Sequence, residues 1–329
     1  MRRTAKAPRR PGTFGVSKVD DDASARPEKA GLLDRRLIVV TGKGGVGKSI
    51  VAAGLGVAAA RSGRRTLVVE VAARDDVPRL LGAQGGGERA VGRNLHHHSI
   101  DPSAVLEEYL HEQLPLGVMA EFLGRSETFL LFTAAAPGMH ELLTMGKVAE
   151  LTRVHRSGGA GPYDLVVLDA PSTANGLALL TAPRTFAASA RVGPIARQGN
   201  EIDELVRDPG RTGVVLVCTP EEMPVTEAIG LRADLRSVLG RDADHLVVNA
   251  LLPARFGARD RDALRAAPND PAVRSARWLQ QRGQLQRAQH ARLRRGCAGV
   301  PSSSLPFLFV EEPGRADIER IADVLGRAV

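Results

Sequence analysis

Short, unbroken apolar runs, each closed by glycine or a polar loop residue, recur along this chain. Arg36-Leu37-Ile38-Val39-Val40-Thr41 is the first, and it ends at Gly42. A continuous apolar run of that length suits a strand covered on both faces, as parallel strands are. Ser49 to Arg61 is rich in Ala, Val and Leu and reads as a helix, with Gly63 as its stop signal. Thr66 to Val71 is the next strand. Strand, helix and strand within roughly 35 residues make a βαβ unit with a right-handed crossover.

The pattern then changes. Across 102–157, Leu106, Tyr109, Leu110 and Leu114 recur at helical spacing, as do Val118, Phe122, Phe129 and Phe132, and then Leu142, Leu143, Val148 and Leu151. About three helices with no strand between them are predicted, as an insertion on one face of an α/β domain. Gly158-Gly159-Ala160-Gly161-Pro162 closes the block with a turn. Strand-like runs resume at Tyr163–Asp169, Gly213–Cys218, His245–Asn249 and Leu305–Val310, with helical patterns over 221–240 and 272–296. The fold class that follows is α/β, a doubly wound, mostly parallel sheet with a helical insertion. Six or seven parallel strands are expected. Ligands bind beyond the carboxyl ends of such strands, where the loop at Gly42, Asp169, Pro220 and Asn249 all fall. His96-His97-His98 reads as a set of ordinary loop histidines before a strand, not as a metal site.

Composition narrows the class. Hydrophobic residues make up 43% of the 329 residues and aromatics only 3%, so the core must come from Val, Leu, Ile and Ala. No apolar run reaches the roughly 18 residues needed to cross a bilayer, so no integral membrane segment is expected. Met1 to Lys6 is charged with no apolar stretch behind it, unlike a signal peptide. Cys218 and Cys297 are the two cysteines and neither has a CxxC neighbour, which fits a reducing, cytoplasmic setting. The net charge is +8, but residues 1–30 hold eight Lys/Arg and four Asp/Glu, half of that excess. This places a disordered basic leader at 1–34 and one folded domain at 35–329, and nucleic acid is not the expected partner. Lysine is scarce. Of six lysines, Lys43 and Lys48 lie in one glycine-rich loop, where a compact point charge is needed and a guanidinium fork would not serve.

That loop carries the chemistry. Gly42-Lys43-Gly44-Gly45-Val46-Gly47-Lys48-Ser49 matches the GxxxxGK[ST] pattern between a strand and a helix. Glycines let successive backbone N–H groups point at phosphate oxygens, and the helix N-terminus adds its dipole. Gly42, Gly44, Gly45, Val46, Gly47, Lys48, Ser49 and Ile50 are therefore the candidate ATP-binding residues. Lys48 is expected on the β- and γ-phosphates, and the Ser49 hydroxyl on Mg²⁺, a hard ion that prefers oxygen. Leu165-Val166-Val167-Leu168-Asp169 is an apolar strand ending in a carboxylate, which makes Asp169 the second candidate for the Mg²⁺ shell.

Lys43, directly after the first glycine, marks the deviant or signature-lysine form of the loop, which resembles that of the ArsA-like, ParA/MinD-like and nitrogenase-iron-protein ATPases. Ala170-Pro171-Ser172-Thr173-Ala174-Asn175-Gly176-Leu177 resembles the D-T-A-P-T-G-H-T switch segment of the arsenite-transporter and tail-anchored-protein-targeting (ArsA/Get) ATPases. Cys218 to Glu227 is similar to their P-E-x-x-x-x-x-E segment, Val247-Val248-Asn249 to their V-V-N, and Pro306 to Pro313 to their closing P-L-x-x-E-E segment. The resemblance covers roughly residues 36–325 and is nearest to actinobacterial ArsA homologues with DAP at this point, which often occur as paired paralogues. It implies a nucleotide-sandwich dimer, homomeric or with a paralogous ATPase, in which Lys43 acts in trans on transition-state charge. It also implies that Asn249 reads the adenine edge and that Pro306 lies near the base. The insertion would be the client-binding subdomain, with Met119, Phe122, Leu123, Phe129, Leu130, Leu131, Phe132, Met139 and Met145 as candidates to line a groove for a hydrophobic client protein.

Three departures qualify the resemblance. The family's S-T-D-P-A-H segment aligns with Glu70-Val71-Ala72-Ala73-Arg74-Asp75, so Ala72 stands where an aspartate would polarise the attacking water. Glu70, Asp75 and Asp76 are substitutes that spacing does not favour, and slow hydrolysis is expected. Ile50 replaces a threonine, which removes a hydroxyl near the α-phosphate. The cysteines supply neither a thiolate cluster for arsenite nor a CxxC zinc clasp. Two other readings stay open: a ParA/MinD-like positioning ATPase binding DNA or membrane through the basic tail and the stretch Arg274 to Arg295, and a weakly catalytic regulatory subunit of a paralogue pair, suggested by Ala72.

Overall fold

The computed structural model describes residues 31–71, 74–113, 138–153, 162–190 and 193–329. The leader at 1–30, the position of Ala72, most of the predicted insertion and most of the turn at 158–162 lie outside the described residues.

The five residues of β1 (Leu37–Thr41) are all buried. Covered on both faces, β1 needs no polar alternation, which is why its sequence is an unbroken apolar run. It pairs in parallel with β5 (Leu165–Asp169) on one side and β6 (Thr212–Cys218) on the other. Beyond β5 lie β2 (Thr66–Val71) and β4 (Leu95–Ile100), and beyond β6 lie β7 (His245–Leu251) and β8 (Ser302–Pro306). A short β3 (Arg89–Gly92) closes one edge antiparallel to β4. The sheet order is β3-β4-β2-β5-β1-β6-β7-β8, so seven strands are parallel and one is not. β1 sits where the chain crosses from one half of the sheet to the other, the position at which doubly wound sheets bind ligands.

Two apolar cores fill the two faces, as expected of a doubly wound sheet. One lies under α1 (Lys48–Arg61) and α10 (Arg315–Ala328) and holds Ile38, Val40, Val68, Val167, Val215 and Val247. The other takes the alternate residues Leu37, Val39, Leu67, Leu168 and Leu216 and is covered by α4 (Met139–Leu151), α6 (Pro194–Arg207), α7 (Glu222–Leu239) and α9 (Pro271–Gly296). α1 is sandwiched closely. A Cβ on Gly56 would come 2.5 Å from Val68 Cγ2 of the sheet, and one on Gly54 2.7 Å from Ile321 Cγ2 of α10. Glycine is what allows both approaches. The other described helices are α2 (Asp76–Leu80), α3 (Pro102–Gln113), α5 (Thr173–Ala190) and α8 (Ala258–Ala266).

Two expectations are corrected. The last strand runs Ser302–Pro306, not Leu305–Val310, with Leu246 opposite Ser302 and Val248 opposite Ser304. β8 is an edge strand with one laddered side, so a polar run serves and only Leu305 is buried. The apolar residues that suggested a strand, Phe307 and Phe309, are 41% and 55% exposed and stack on each other at 5.0 Å. The histidine tract is also not a loop. It forms the middle of β4, with His97 1% exposed. Among the described residues of the predicted insertion, α3 and α4 are helical as the spacing indicates, but Met145 is fully buried in the core and not available to a groove.

Candidate nucleotide site

Gly42 leaves β1 with φ +148, and a Cβ there would come 2.2 Å from the Val217 carbonyl oxygen of β6. Gly47 has φ +88 and faces Asn249, whose Nδ2 would lie 2.2 Å from an added Cβ. Both positions therefore need glycine for conformation and for space. Gly44 and Gly45 are exposed on the loop's outer rim and Val46 is buried beneath it. α1 starts at Lys48 without a side-chain cap at Gly47, leaving its first amides free to receive an anion.

Lys48 is 8% exposed, and its ammonium donates to the Lys43 carbonyl oxygen at 3.0 Å, across the mouth of the loop. Burial holds its pKa below the ordinary lysine value, opposed in part by the charge of Asp169. Ser49 Oγ donates to Asp169 Oδ2 at 2.6 Å. The second oxygen, Asp169 Oδ1, is buried with no hydrogen-bond partner. Burial pushes this carboxyl up to about 6, against the Ser49 hydrogen bond that lowers it and with the nearby charge of Glu70 that raises it further. A hydroxyl and an unfilled carboxylate oxygen side by side form a hard, oxygen-only donor set. It fits Mg²⁺, which takes one or two protein oxygens and completes its shell with phosphate and water. Among the described residues no group of three His, Cys, Asp or Glu is placed to hold a metal by itself.

Lys43 sits on the rim, about a quarter exposed, and pairs with the Glu227 carboxylate of α7. Thr173 Oγ1, at the start of α5, donates to the other Glu227 oxygen at 3.5 Å. One carboxylate thus joins the loop, the segment after Asp169 and the segment after Pro220. Asn249, at the end of β7, donates through Nδ2 to the Val46 carbonyl oxygen at 2.8 Å, and its Oδ1 accepts from the Ala250 amide at 2.9 Å. The side chain expected on the adenine edge is engaged here in bracing the loop, with one amide hydrogen and one lone pair uncommitted. Ile50 packs half-buried against the core beneath α1. Pro306 is exposed at the end of β8, next to the Phe307 and Phe309 pair, with Arg255 stacked over Phe309 at 4.9 Å.

The sequence-predicted residues thus converge on one rim of the sheet, at the carboxyl ends of β1, β5 and β7. The anion-transporting ATPase (ArsA) family model matches residues 35–198 and 194–326, which is nearly all of the described chain. The chain belongs to the ArsA family of ATPases. It is 30% identical over 238 residues to the ATPase BagA of Mycobacterium tuberculosis, covering 68% of each chain, and equally to a putative ATPase of Mycobacterium bovis. It is also 30% identical over 251 residues to a putative arsenical pump-driving ATPase of Halobacterium salinarum, across 72% of this chain and 39% of the halobacterial one.

As an ArsA-family ATPase the chain binds nucleotide and hydrolyses ATP, and the family match separates it from the ParA/MinD-like reading. No helix among the described residues is long and apolar enough to cross a membrane. Cys218 and Cys297 are both free and buried, and burial pushes the Cys218 thiol up to about 12. Neither offers the exposed thiolate that a soft metalloid requires. One feature of this ATPase escaped sequence reading: His97 Nε2 of β4 meets Glu70 Oε2 of β2 at 2.8 Å. Nothing in the tract His96-His97-His98 signals a strand, because three consecutive polar residues hide the alternation on which strand prediction depends.

Proposed function

We propose that this ATPase binds Mg-ATP on Gly42–Ser49, hydrolyses it slowly, and uses its nucleotide state to rearrange a cytoplasmic dimer, homomeric or with a paralogous ATPase, that handles a client or partner protein. Lys48 neutralises the β- and γ-phosphates, displacing its contact to the Lys43 carbonyl. Ser49 and Asp169 would hold Mg²⁺, which would supply charge withdrawal from the same phosphates. Asn249 and Pro306 bound the base. The observation that carries the dimer reading is Lys43. It is a charged side chain on the rim, paired with the half-exposed Glu227 and free to exchange that partner for a phosphate across an interface. Slow turnover is motivated by Ala72, which has no group to orient water.

The test combines steady-state ATPase, nucleotide binding and mass by light scattering on the purified chain. Expected are slow turnover abolished in Lys48→Ala, and a doubling of mass with Mg-ATP that Lys43→Ala prevents while still binding nucleotide. A mass unchanged by nucleotide would remove the homodimer. Tight binding with negligible turnover, accelerated by a paralogue, would favour the second reading, a regulatory subunit, which Ala72 also motivates.

A further inference from the structure

Three carboxylates compete in sequence to replace an aspartate at Ala72, and the fold separates them. Asp75 is exposed and accepts from the Gly86 amide at 3.2 Å. Asp76 is bound by Arg74 and, at 3.2 Å, by Arg79. Glu70 differs from both. It is 1% exposed and stands on β2 directly opposite Asp169 of β5. Strand alternation puts it on the face of Val68 and puts Asp169 on the face of Val167, and both valines lie in the core beneath α1. Glu70 Oε2 is fixed by two donors, the Val77 amide at 3.0 Å and His97 Nε2 at 2.8 Å. Glu70 Oε1 is buried and has no partner, like Asp169 Oδ1 beside it. Leaving such an acceptor unmet costs stability, a cost that a bound water or cation would remove. The charge of Glu70 is also felt at Asp169.

We propose that Glu70, braced by His97, is the carboxylate that orients the attacking water in ATP hydrolysis. The assignment rests on ATP being bound at Gly42–Ser49. The water oxygen bonds to the γ-phosphorus while the bond from that phosphorus to the β–γ bridging oxygen breaks, and its electron pair leaves with ADP. The water proton passes to Glu70 Oε1 and from there to solvent, restoring the carboxylate. His97 is a positioning residue. Its Nε2 holds Oε2 and so keeps the carboxylate, and with it Oε1, in one orientation. The geometry also accounts for slow turnover. Glu70 lies two residues before Ala72 in the chain, and one extra methylene makes up only part of that offset.

The experiment uses the full chain with Glu70→Gln, His97→Ala, the double variant Glu70→Gln/Ala72→Asp, and Lys48→Ala as the blank. The readouts are binding of a fluorescent ATP analogue with Mg²⁺, single-turnover hydrolysis and Tm. Glu70→Gln is expected to bind nucleotide within about twofold of the parent and to hydrolyse it about 100-fold more slowly. Adding Ala72→Asp should restore turnover, which repair of a merely structural defect at position 70 would not. His97→Ala, which keeps the carboxylate but frees it, should lower kcat about tenfold with KM unchanged; it carries the test if Glu70→Gln does not fold. Parental turnover in Glu70→Gln or in His97→Ala, with Lys48→Ala inactive, overturns the assignment and leaves the nucleotide site standing. A Glu70→Gln rate that falls only in step with binding and Tm, with no recovery on adding Ala72→Asp, also overturns it. A parent chain that binds no ATP sinks the site reading instead.

Discussion

The two ends of one sheet treat their aspartates in opposite ways. At the amino end, Asp244 just before β7 receives Arg35 at 3.2 Å, Arg241 at 2.7 Å and the Val214 amide at 2.8 Å. Asp164 just before β5 receives the Arg65 amide at 2.8 Å. The buried atoms left unpaired there include the Nε donors of Arg35, Arg64, Arg65 and Arg241, whose terminal nitrogens are otherwise engaged. At the carboxyl end the unpaired buried atoms include two carboxylate acceptors, Asp169 Oδ1 and Glu70 Oε1, and the Thr41 hydroxyl. A surplus of acceptors at a glycine loop with free helix amides separates cation and anion sites cleanly. On the function proposed above, the oxygens would take Mg²⁺ and water and the amides phosphate. The amino end is closed by its own charges and holds the fold. The carboxyl end is left open, at a cost in stability, and performs the chemistry.

The sharpest way to break this contrast is to delete a carboxylate at each end. Asp244→Ala should destabilise by about 3 kcal/mol in urea unfolding, because two arginines and an amide lose their acceptor in a largely buried position. Its nucleotide affinity should be unchanged. Asp169→Asn should do the reverse, abolishing Mg-dependent nucleotide binding while stabilising the metal-free protein at pH 8.

The sign follows from the shift. The carboxyl of Asp169 is raised from 3.8 to about 6, so the folded chain binds the proton more tightly than the unfolded one. Its contribution is most favourable below about pH 4 and is lost as pH rises through about 6, a change of up to about 3 kcal/mol. Unfolding followed against pH in chelator should show this slope in the parent and not in Asp169→Asn. A flat parent profile would mean that the carboxylate has found a partner after all.

Smaller effects sharpen the contrast. Gly47→Ala forces φ +88 on a residue with a Cβ and drives that Cβ into Asn249. A loss of about 1–3 kcal/mol is expected, together with weakened nucleotide binding; calorimetric melting and titration would measure both. Glu227→Gln releases Lys43 from a half-exposed ion pair worth less than about 1 kcal/mol. It should tighten nucleotide-dependent dimerisation by no more than about fivefold, read by light scattering over a dilution series. Weaker dimerisation would show that Glu227 orients Lys43 toward the partner and does not sequester it.

Much of the molecule was legible in the chain. Leu37–Val40, Leu67–Val69 and Leu165–Leu168 are apolar runs because they form the middles of strands covered on both faces, and the loop glycines mark turns only glycine can make. β8 was misplaced because an edge strand is under no such constraint, and exposed Phe307 and Phe309 imitated a core strand. The convergence of Ser49 with Asp169 followed from pattern. That of Lys43 with Glu227, 184 residues later, did not, since an ion pair leaves no periodicity.

Sequence alone therefore determined the class of fold, the phosphate loop and its two lysines, the metal-side Ser49 and Asp169, and the missing aspartate at Ala72. All of these are local, set by runs, spacings and conformations that a few neighbouring residues dictate. Only the tertiary structure decided which of the three carboxylates is buried in register with Asp169. Glu70 and His97 meet because β2 and β4 are adjacent in register, and their pairing depends on packing between strands that no local pattern encodes.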